Sequence, residues 1–516
     1  MKRYLSVCSV LAAIVLFVYG ASATVSAPSI FGDHMVLQQG KSLPVWGNAD
    51  PQEKVTVTLG KKTKSATANA EGKWKVEMPR MKAGGPYELT VRGTDNTLLF
   101  TDVLVGEVWL GSGQSNMQWN VANSANGDAE IAAADYPNIR LFSVTRTVAT
   151  SPQDDCEGAW TLCAPATIPE FSAALYFFGR ELHQQLDGVP VGLVHTSWGG
   201  TPAESWTSRA TLESDPDLAG MVRQWDQALA DYPAAMDAHN KAMEDWRKAA
   251  EEARAAGAPE PRKPDPPRGP EHPWLASGLY NAMIAPLAPY AIQGAIWYQG
   301  ESNANRAYQY RKLFPAMIND WRNTWRQGPF SFYFVQLANF REPLPEPADL
   351  DWAELREAQT MTLSLKNTGM ATIIDIGEAD DIHPKNKQDV GKRLALIALK
   401  KDYGKKVVWS GPMYKSMKVR DDKIIIRFDH ADGGLATSDG EAVKGFAIAG
   451  EDRKFVWADA VIKGKTVVVS SPQVAKPAAV RYAWAINPVC NLVNGAGLPA
   501  SPFRTDAWPG ITENNK

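Results

Sequence analysis

A near-continuous apolar segment followed at once by small and polar residues is the feature that most constrains the fold of this chain. Residues 103–110 read VLVGEVWL and are followed by Gly111-Ser112-Gly113 and then Gln114-Ser115-Asn116-Met117. An apolar run of this length predicts a buried strand, the small residues predict a flexible turn, and the polar run predicts a helix start. Strands buried on both faces are typical of parallel sheets flanked by helices. The segment therefore predicts an α/β domain with Ser115 at the carboxyl end of a strand.

Ser115 has the expected position of a nucleophile. Its hydroxyl would be exposed at the edge of the sheet, and its N–H would lie near a helix N-terminus, where developing negative charge is stabilised. Serine is also a frequent N-cap of helices. The motif taken alone leaves this capping role open.

Patterns along the rest of the chain divide it into several parts. A length of 516 residues predicts two to four domains. Short alternating strands predict an N-terminal β-sandwich at residues 24–102, and alternation returns in a C-terminal β-rich domain at residues 404–516. Between them, residues 103–403 alternate apolar strands with helical stretches, which predicts an α/β domain with a mostly parallel sheet.

Within the α/β region, further segments are predicted individually. Residues 176–186 predict a helix, and strands are predicted at 191–195, 293–298 and 370–376. Residues 207–274 differ in composition: an Ala-, Glu- and Arg-rich stretch precedes a proline-dense tail. We interpret this segment as two helices and an extended spacer inserted into the α/β domain.

The charge of the chain excludes one class of partner. The formal net charge is -3 and the pI is near 6.2, so no basic face is left over to bind nucleic acid. After the first residues, no segment is long and apolar enough to span a membrane.

The N-terminus predicts export. Lys2-Arg3, an apolar run at residues 7–18 and Ala21-Ser22-Ala23 form the three parts of a secretory signal. The apolar run is shorter than the roughly 20 residues that span a bilayer, which disfavours a membrane anchor. We therefore expect residues 1–23 to be removed and the mature protein to be periplasmic or extracellular.

The cysteines are expected to have a structural role rather than a catalytic one. Removal of the signal also removes Cys8 and leaves Cys156, Cys163 and Cys490. Cys156 and Cys163 are close enough in sequence to close a small disulfide loop in an oxidising compartment. No CxxC pair occurs and the seven histidines are scattered without ligand spacing, so we expect no metal and no cofactor.

A second strand-end loop carries a candidate base. A serine nucleophile needs a base within hydrogen-bond reach and usually a carboxylate that orients this base. His383 lies in Asp380-Asp381-Ile382-His383-Pro384, after the predicted strand at 370–376. A surface charge cluster is the alternative interpretation, but an active site explains directly why two chemically suited loops follow equivalent strand ends.

Two more strand-end loops carry candidate oxyanion donors, since a tetrahedral intermediate needs N–H groups aimed at its negative oxygen. Trp198-Gly199-Gly200-Thr201 offers backbone N–H groups, and residues 298–303 (Tyr-Gln-Gly-Glu-Ser-Asn) offer side-chain amides. A simple tight turn is the alternative for the two glycines.

These four loops resemble, in the same order, the sequence blocks of sialate O-acetylesterase-like proteins of the SGNH hydrolase superfamily. The resemblance extends to residues 30–38, 45–47, 481–484 and 501–504 and thus covers nearly all of the mature chain. It is weakest in the insertion at residues 207–274.

The resemblance implies a flavodoxin-like SGNH domain that hydrolyses carbohydrate O-acetyl esters without metal or cofactor. Ser115 would be the nucleophile and His383 the general base. The oxyanion hole would use backbone N–H groups and one side chain; its expected members are Ser115, Gly199, Gly200 and Gln299, with Asn303 as the alternative to Gln299.

The resemblance also bears on the acidic residues. The wider superfamily places its aspartate three residues before the histidine, and this spacing selects Asp380. Bacterial members of this family commonly have Asn-Asp-Ile-His-Pro, with the aspartate two residues before the histidine, and this pattern selects Asp381. This chain has Asp at both positions, and we prefer Asp381. Glu301 would brace its loop.

Three alternatives to a sialate esterase stay open at this point. The substrate would be an O-acetylated carbohydrate, either sialic acid or a plant hemicellulose such as acetylxylan. A glycosidase that uses Glu301 and Asp381 as paired acids is a second possibility, although it leaves Ser115 without a role. The third is a non-catalytic carbohydrate-binding protein, which the 18 tryptophans would suit. The sequence does not determine the oligomeric state.

Overall fold

The structure is a computed structural model that describes residues 25–516. The expected signal peptide, with Cys8, lies outside the described residues. Within residues 25–516, no helix is long and apolar enough to cross a membrane.

The N-terminal part consists of short strands whose side chains alternate between buried and exposed. Such alternation buries one face of each strand and leaves the other in water. In chain order the strands are β1 (Val36–Gln38), β2 (Leu43–Asn48), β3 (Lys54–Leu59), β4 (Lys62–Thr67), β5 (Lys73–Met78), β6 (Gly84–Arg92) and β7 (Thr97–Gly113). β4, β3, β6 and β7 pair in that order, β1 runs parallel to β7, and β2 pairs with β5 in a separate small sheet.

β7 joins this part to the rest of the molecule without a linker. Its first residues pair with β6, and its buried second half lies inside the central parallel sheet. The domain boundary expected at residues 102/103 therefore falls inside one continuous strand. The two parts also share a single hydrophobic core.

The central part alternates strands with helices. Its elements are α1 (Ser115–Gln118), α2 (Gly127–Ala132), β8 (Tyr136–Ser143), β9 (Trp160–Cys163), α3 (Ala173–Gln185), β10 (Val191–Ser197), α4 (Arg209–Ser214), α5 (Ala219–Ala255), β11 (Gly294–Tyr298), α6 (Ala307–Trp325), β12 (Ser331–Val335), α7 (Asp351–Met361), β13 (Thr368–Ala371) and α8 (Lys387–Lys401). Short 3-10 helices lie at Ala203–Trp206, Ala285–Leu287, Glu301–Arg306 and Thr362–Ser364, and a π-helix lies at Tyr280–Ile284.

The order of strands in the central sheet places the site. It runs β13-β12-β11-β7-β10-β8-β9, and every neighbouring pair is parallel except β8 with β9. After β7 the chain forms β8, β9 and β10 on one side of this strand, and from β10 it crosses to β11 on the other side. Ligands in open α/β sheets bind at the carboxyl ends of the strands where the order reverses, which here is the end of β7.

The C-terminal part has its own, smaller core. Its strands are β14 (Met413–Arg420), β15 (Lys423–Asp429), β16 (Leu435–Thr437), β17 (Phe446–Ala449), β18 (Val456–Trp457), β19 (Asp459–Lys463), β20 (Thr466–Ser470), β21 (Ala479–Tyr482), β22 (Leu492–Asn494) and β23 (Phe503–Arg504). They form two antiparallel four-stranded sheets, β14-β15-β20-β19 and β18-β17-β21-β23, and the pair β16-β22. The fully buried Arg356 of α7 ties this part to the central one, since it donates to the carbonyls of Ala485 and Ile486.

Three local expectations differ from the structure. Gly111-Ser112-Gly113 is not a turn, because β10 and β11 pair with these residues from both sides and extend β7 to Gly113. The strand expected at 370–376 is β13, which ends at Ala371. Cys156 and Cys163 are free, buried thiols rather than a disulfide, and burial raises the pKa of each to about 12.

Candidate active site

The candidate nucleophile lies at the switch point of the sheet. Ser115 is the first residue of α1, two residues after the end of β7. Gly113 has φ +144°, and a Cβ at this position would lie 2.2 Å from the carbonyl oxygen of Tyr298 on β11. A glycine is therefore required for the chain to pass this close to β11 before it turns into the helix.

The structure brings Ser115, His383 and Asp381 together in one chain of hydrogen bonds. The Oγ of Ser115 lies 2.9 Å from Nε2 of His383, and Nδ1 of His383 lies 3.1 Å from Oδ1 of Asp381. The same carboxylate oxygen accepts from the backbone N–H of His383 at 2.9 Å. Trp119 stacks on the imidazole with ring centroids 5.0 Å apart and an angle of 15° between the planes. The imidazole of His383 is thus contacted by Trp119 on one face and hydrogen-bonded at both of its nitrogens.

Asp380 does not join this arrangement. Its side chain is exposed, and it has no hydrogen bond or ion pair with the part of the chain that is described. The carboxylate that contacts His383 is that of Asp381, two residues before the histidine.

The electrostatics suit a neutral base beside an ionised acid. Burial lowers the pKa of His383 below its ordinary value and the charge of Lys387 lowers it further, while Asp381 acts in the opposite direction. Burial alone would raise the pKa of Asp381, but the hydrogen bonds from the backbone and ring of His383 bring it below its usual range. At neutral pH the imidazole is therefore mostly unprotonated and the carboxylate charged.

Two backbone N–H groups near the serine are free to bind an oxyanion. Neither the Ser115 N–H nor the Gly200 N–H has a partner within residues 25–516. The Gly199 N–H, in contrast, donates to Oε1 of Gln118 at 2.7 Å. Of the two glycines expected to supply a donor, only Gly200 has its N–H free.

The expected side-chain donors have other partners. Gln299 is fully buried, and its amide nitrogen donates to the Thr201 carbonyl at 3.3 Å and to Oδ1 of Asn303 at 2.7 Å. Its oxygen accepts from the Tyr310 hydroxyl, and Asn303 donates to Glu204. The oxyanion role expected for Gln299 or Asn303 is therefore not supported, because these amides hold the loops together instead.

Asn116, which follows the serine, forms a hydrogen-bonded network with two charged residues. Its Nδ2 donates to Oε1 of Glu301 at 2.7 Å, and its Oδ1 accepts from Nζ of Lys387 at 2.6 Å. Burial raises the pKa of Glu301 and lowers the pKa of Lys387 to about 7; Glu301 itself, Asp381 and Glu378 raise that of the lysine. The bracing role expected for Glu301 agrees with its bond to Asn116.

A depression of about 480 Å³ lies beside the end of α1, the helix that begins at Ser115. Its lining comes from the end of β8 and the loop after it, the last residues of β10, the end of α1 and the loop before α3. Members of this lining include Gln118, Asn120, Arg146, Glu170, His195 and Ser197. A Cβ placed on Gly199 would lie 3.3 Å from Cβ of Ser115, so the loop that continues from Ser197 in the lining passes directly beside the nucleophile.

Arg146 is the notable charge in this depression. It has no acidic partner in the described part of the chain and lies 5.9 Å from the ring centroid of Trp198. Glu170 is bonded to Asn120 at 2.8 Å, and His195 is neutral because burial and then Arg146 lower its pKa to about 4. The depression therefore holds a positive charge, Arg146, without an acidic partner, together with the carboxylate of Glu170, which accepts from Asn120.

Several of these residues are not recognisable as site residues from the sequence. Lys387 lies in the run Lys385-Asn386-Lys387, which is typical of an exposed helix start, and lysines are rarely buried. Arg146 lies in a loop without a recognisable pattern. Asn116 belongs to the serine motif, but the spacing does not show that it would contact loops more than 180 residues away. Among residues 25–516, no group of three or more His, Cys, Asp or Glu side chains could hold a metal ion.

The chain is similar to a described protein family, to several relatives and to a solved structure. Residues 270–400 match the family model described as carbohydrate esterase, sialic acid-specific acetylesterase. The sialate O-acetylesterase of Rattus norvegicus is 33% identical over 94% of this chain and 95% of its own length, and that of Homo sapiens is 30% identical over 94% of each. A crystal structure of a carbohydrate acetylesterase from Xanthomonas citri is 39% identical, with a TM-score of 0.79, over 94% of this chain and all of the other.

Proposed function

Because this chain belongs to the sialate O-acetylesterase family and is a carboxylic ester hydrolase, we propose that it is an exported serine esterase that removes O-acetyl groups from carbohydrates. The observation that carries the proposal is the contact of Ser115 Oγ with Nε2 of His383 at 2.9 Å, in line with Asp381. Export rests on the signal-like residues 1–23. Without the edge pair β8 and β9, the strand order β10-β7-β11-β12-β13 is that of a flavodoxin-like sheet, which supports an SGNH hydrolase domain.

The proposed reaction has two steps. Ser115 Oγ attacks the acetyl carbonyl carbon while Nε2 of His383 takes its proton, and the carbonyl oxygen becomes an oxyanion that the N–H groups of Ser115 and Gly200 bind. The bond between the acetyl carbon and the ester oxygen then breaks, His383 gives the proton to this departing oxygen, which leaves as a sugar hydroxyl, and an acetyl-serine remains. In the second step a water molecule attacks the carbonyl carbon of the acetyl-serine while His383 takes one of its protons. The bond to Ser115 Oγ then breaks, His383 returns the proton to this oxygen, and acetate is released. Asp381 holds the Nδ1 hydrogen of His383 throughout.

The two competing hypotheses are weaker. A glycosidase would need Glu301 and Asp381 as paired acids, but Glu301 is bonded to Asn116 and Asp381 to His383. A non-catalytic binding protein does not need these contacts, and the family consists of esterases. We expect acetate rather than reducing sugar as the product.

The pH dependence follows from the pKa of the base. His383 acts only when unprotonated, and its pKa in the free enzyme lies below the ordinary value of about 6.5. We therefore expect kcat/KM to rise with pH and to reach half of its plateau below about pH 6.5. The check is a pH profile of kcat/KM with nitrophenyl acetate; an acid limb centred above pH 6.5 would contradict the proposed environment of His383.

The unpaired Arg146 supports sialic acid over hemicellulose as the substrate. A sialic acid carries a carboxylate, which a guanidinium binds well, whereas a neutral xylose chain offers no such group. Gln118, which lines the depression, belongs to the same short helix as Ser115, so a sugar that presents an acetyl group to the serine can place its carboxylate near Arg146.

Arg146→Gln is expected to raise KM for O-acetylated sialoglycans about tenfold, because a hydrogen bond to a charged group is worth about 1.5–3 kcal/mol. Activity on nitrophenyl acetate should stay within about twofold of wild type, since that substrate has no carboxylate. Acetate release measures both, with Arg420→Gln, an exposed arginine of β14, as the control. Faster acetate release from acetylated xylan than from sialoglycans, with no effect of Arg146→Gln, would support the hemicellulose alternative instead.

A further inference from the structure

Lys387 is a buried lysine that the proposed mechanism does not use. It is the first residue of α8 and is fully buried. Its Nζ donates to Oδ1 of Asn116 at 2.6 Å and lies over the rings of Tyr298 and Trp119, at 5.3 and 5.8 Å from their centroids. Removal of an ammonium group from water costs free energy unless hydrogen bonds and charges compensate, so its partners define its role.

Asn116 links the loops that carry the nucleophile and the base. It follows Ser115 in the chain, and its Nδ2 donates both to Oε1 of Glu301 at 2.7 Å and to the carbonyl of Ile382 at 3.0 Å. Ile382 precedes His383. One amide group thus connects the helix of the serine, the loop after β11 and the loop of the histidine.

The orientation of this amide depends on Lys387. Both hydrogens of Nδ2 face acceptors, and the lysine is the donor to Oδ1. Glu301 accepts from the nitrogen side of the amide and Lys387 donates to its oxygen side, so each hydrogen bond polarises the amide in the direction that strengthens the other. Without the lysine, the buried oxygen loses its donor, and the amide can rotate away from Ile382.

We propose that Lys387 is a positioning residue of the esterase reaction, which holds the Asn116 amide and thereby fixes the loop of His383 relative to Ser115. The lysine does not touch the reacting atoms in this role. The proposal rests on the proposed function, because it assumes that Ser115 and His383 carry the reaction. A base displaced by about 1 Å lowers the rate of the chemical step by as much as about 100-fold. Substrate binding in the depression next to Gln118 is not affected.

A double-mutant cycle tests this role. Kinetics with nitrophenyl acetate would be measured for Lys387→Met, Asn116→Ala and the double variant, with the exposed Lys392→Met on the same helix as the control. We expect Lys387→Met to lower kcat about 10- to 100-fold and to leave KM within about twofold. Because the lysine acts through Asn116, the double variant should lose no more than Asn116→Ala alone, within about threefold.

Two results would overturn the proposal: a kcat of Lys387→Met within threefold of wild type, or losses that multiply in the double variant. Thermal unfolding of each variant shows whether it is folded. If Lys387→Met is not recovered folded, Lys387→Gln is placed in the same cycle, and the same outcomes decide. Full activity of Ser115→Ala would instead reject the proposed function itself, so the two failures are distinguishable.

Discussion

Replacement of Ser115 by alanine is expected to lower kcat by at least about 10⁴-fold on nitrophenyl acetate and on acetylated sugars alike. In the proposed reaction the Ser115 oxygen forms the bond to the acetyl carbon, and this oxygen lies 2.9 Å from Nε2 of His383. Losses of this size are typical when the nucleophile of a serine hydrolase is removed. Acetate release by the purified variant measures the effect.

Ser205→Ala is the matched control for this variant. Ser205 is also buried in the central part, but its hydroxyl has no hydrogen-bond partner in the described chain. Removal of an unpaired hydroxyl is nearly neutral for stability, so this variant should retain the activity of wild type. An activity of Ser115→Ala within tenfold of that of Ser205→Ala would exclude Ser115 as the nucleophile.

Asp381→Asn is expected to lower kcat by about 10²- to 10⁴-fold, whereas Asp380→Asn should stay within about twofold of wild type. Asp381 accepts the hydrogen of Nδ1 and so leaves Nε2 free to take the proton of Ser115. An asparagine can donate to Nδ1 and thus favour the wrong tautomer. Asp380 is exposed and does not contact the imidazole.

The two aspartate variants serve as controls for each other, because both replace an aspartate by an asparagine and the two positions are adjacent in one loop. Their kcat values and thermal unfolding would be compared under one set of conditions. Loss of activity in Asp380→Asn with retention in Asp381→Asn would reverse the assignment and contradict the geometry described here.

The features best predicted from the sequence are those that depend on the local pattern of apolar and polar residues. The strands predicted before Ser115 and near residues 191 and 293 correspond to β7, β10 and β11, although their ends differ from the predicted ones. Because parallel strands end at the same edge of a sheet, the loops after them are expected to meet, and Ser115, His383 and Asp381 do lie together. Which of Asp380 and Asp381 contacts His383 does not follow from the local sequence pattern, because it depends on how the loop of His383 turns.

Long-range pairing accounts for the differences. Gly113 belongs to a strand rather than a turn because two neighbouring strands, distant in sequence, bind it from both sides. Gln299 is a suitable oxyanion donor by chemistry, yet its amide is used by Thr201 and Asn303. Lys387 has the sequence context of a surface residue, and only the packing of α8 under the serine loop buries it.

The acetyl-enzyme on Ser115 is the central claim, and direct observation of this species tests it. Wild-type protein would be mixed with nitrophenyl acetate, quenched in acid during the initial burst, digested and analysed by mass spectrometry. The account predicts a single acetyl group on the peptide that contains Ser115, formed at least as fast as turnover and absent in Ser115→Ala. Turnover without acetylation of this peptide, or with an acetyl group that forms equally fast on another residue, would contradict it.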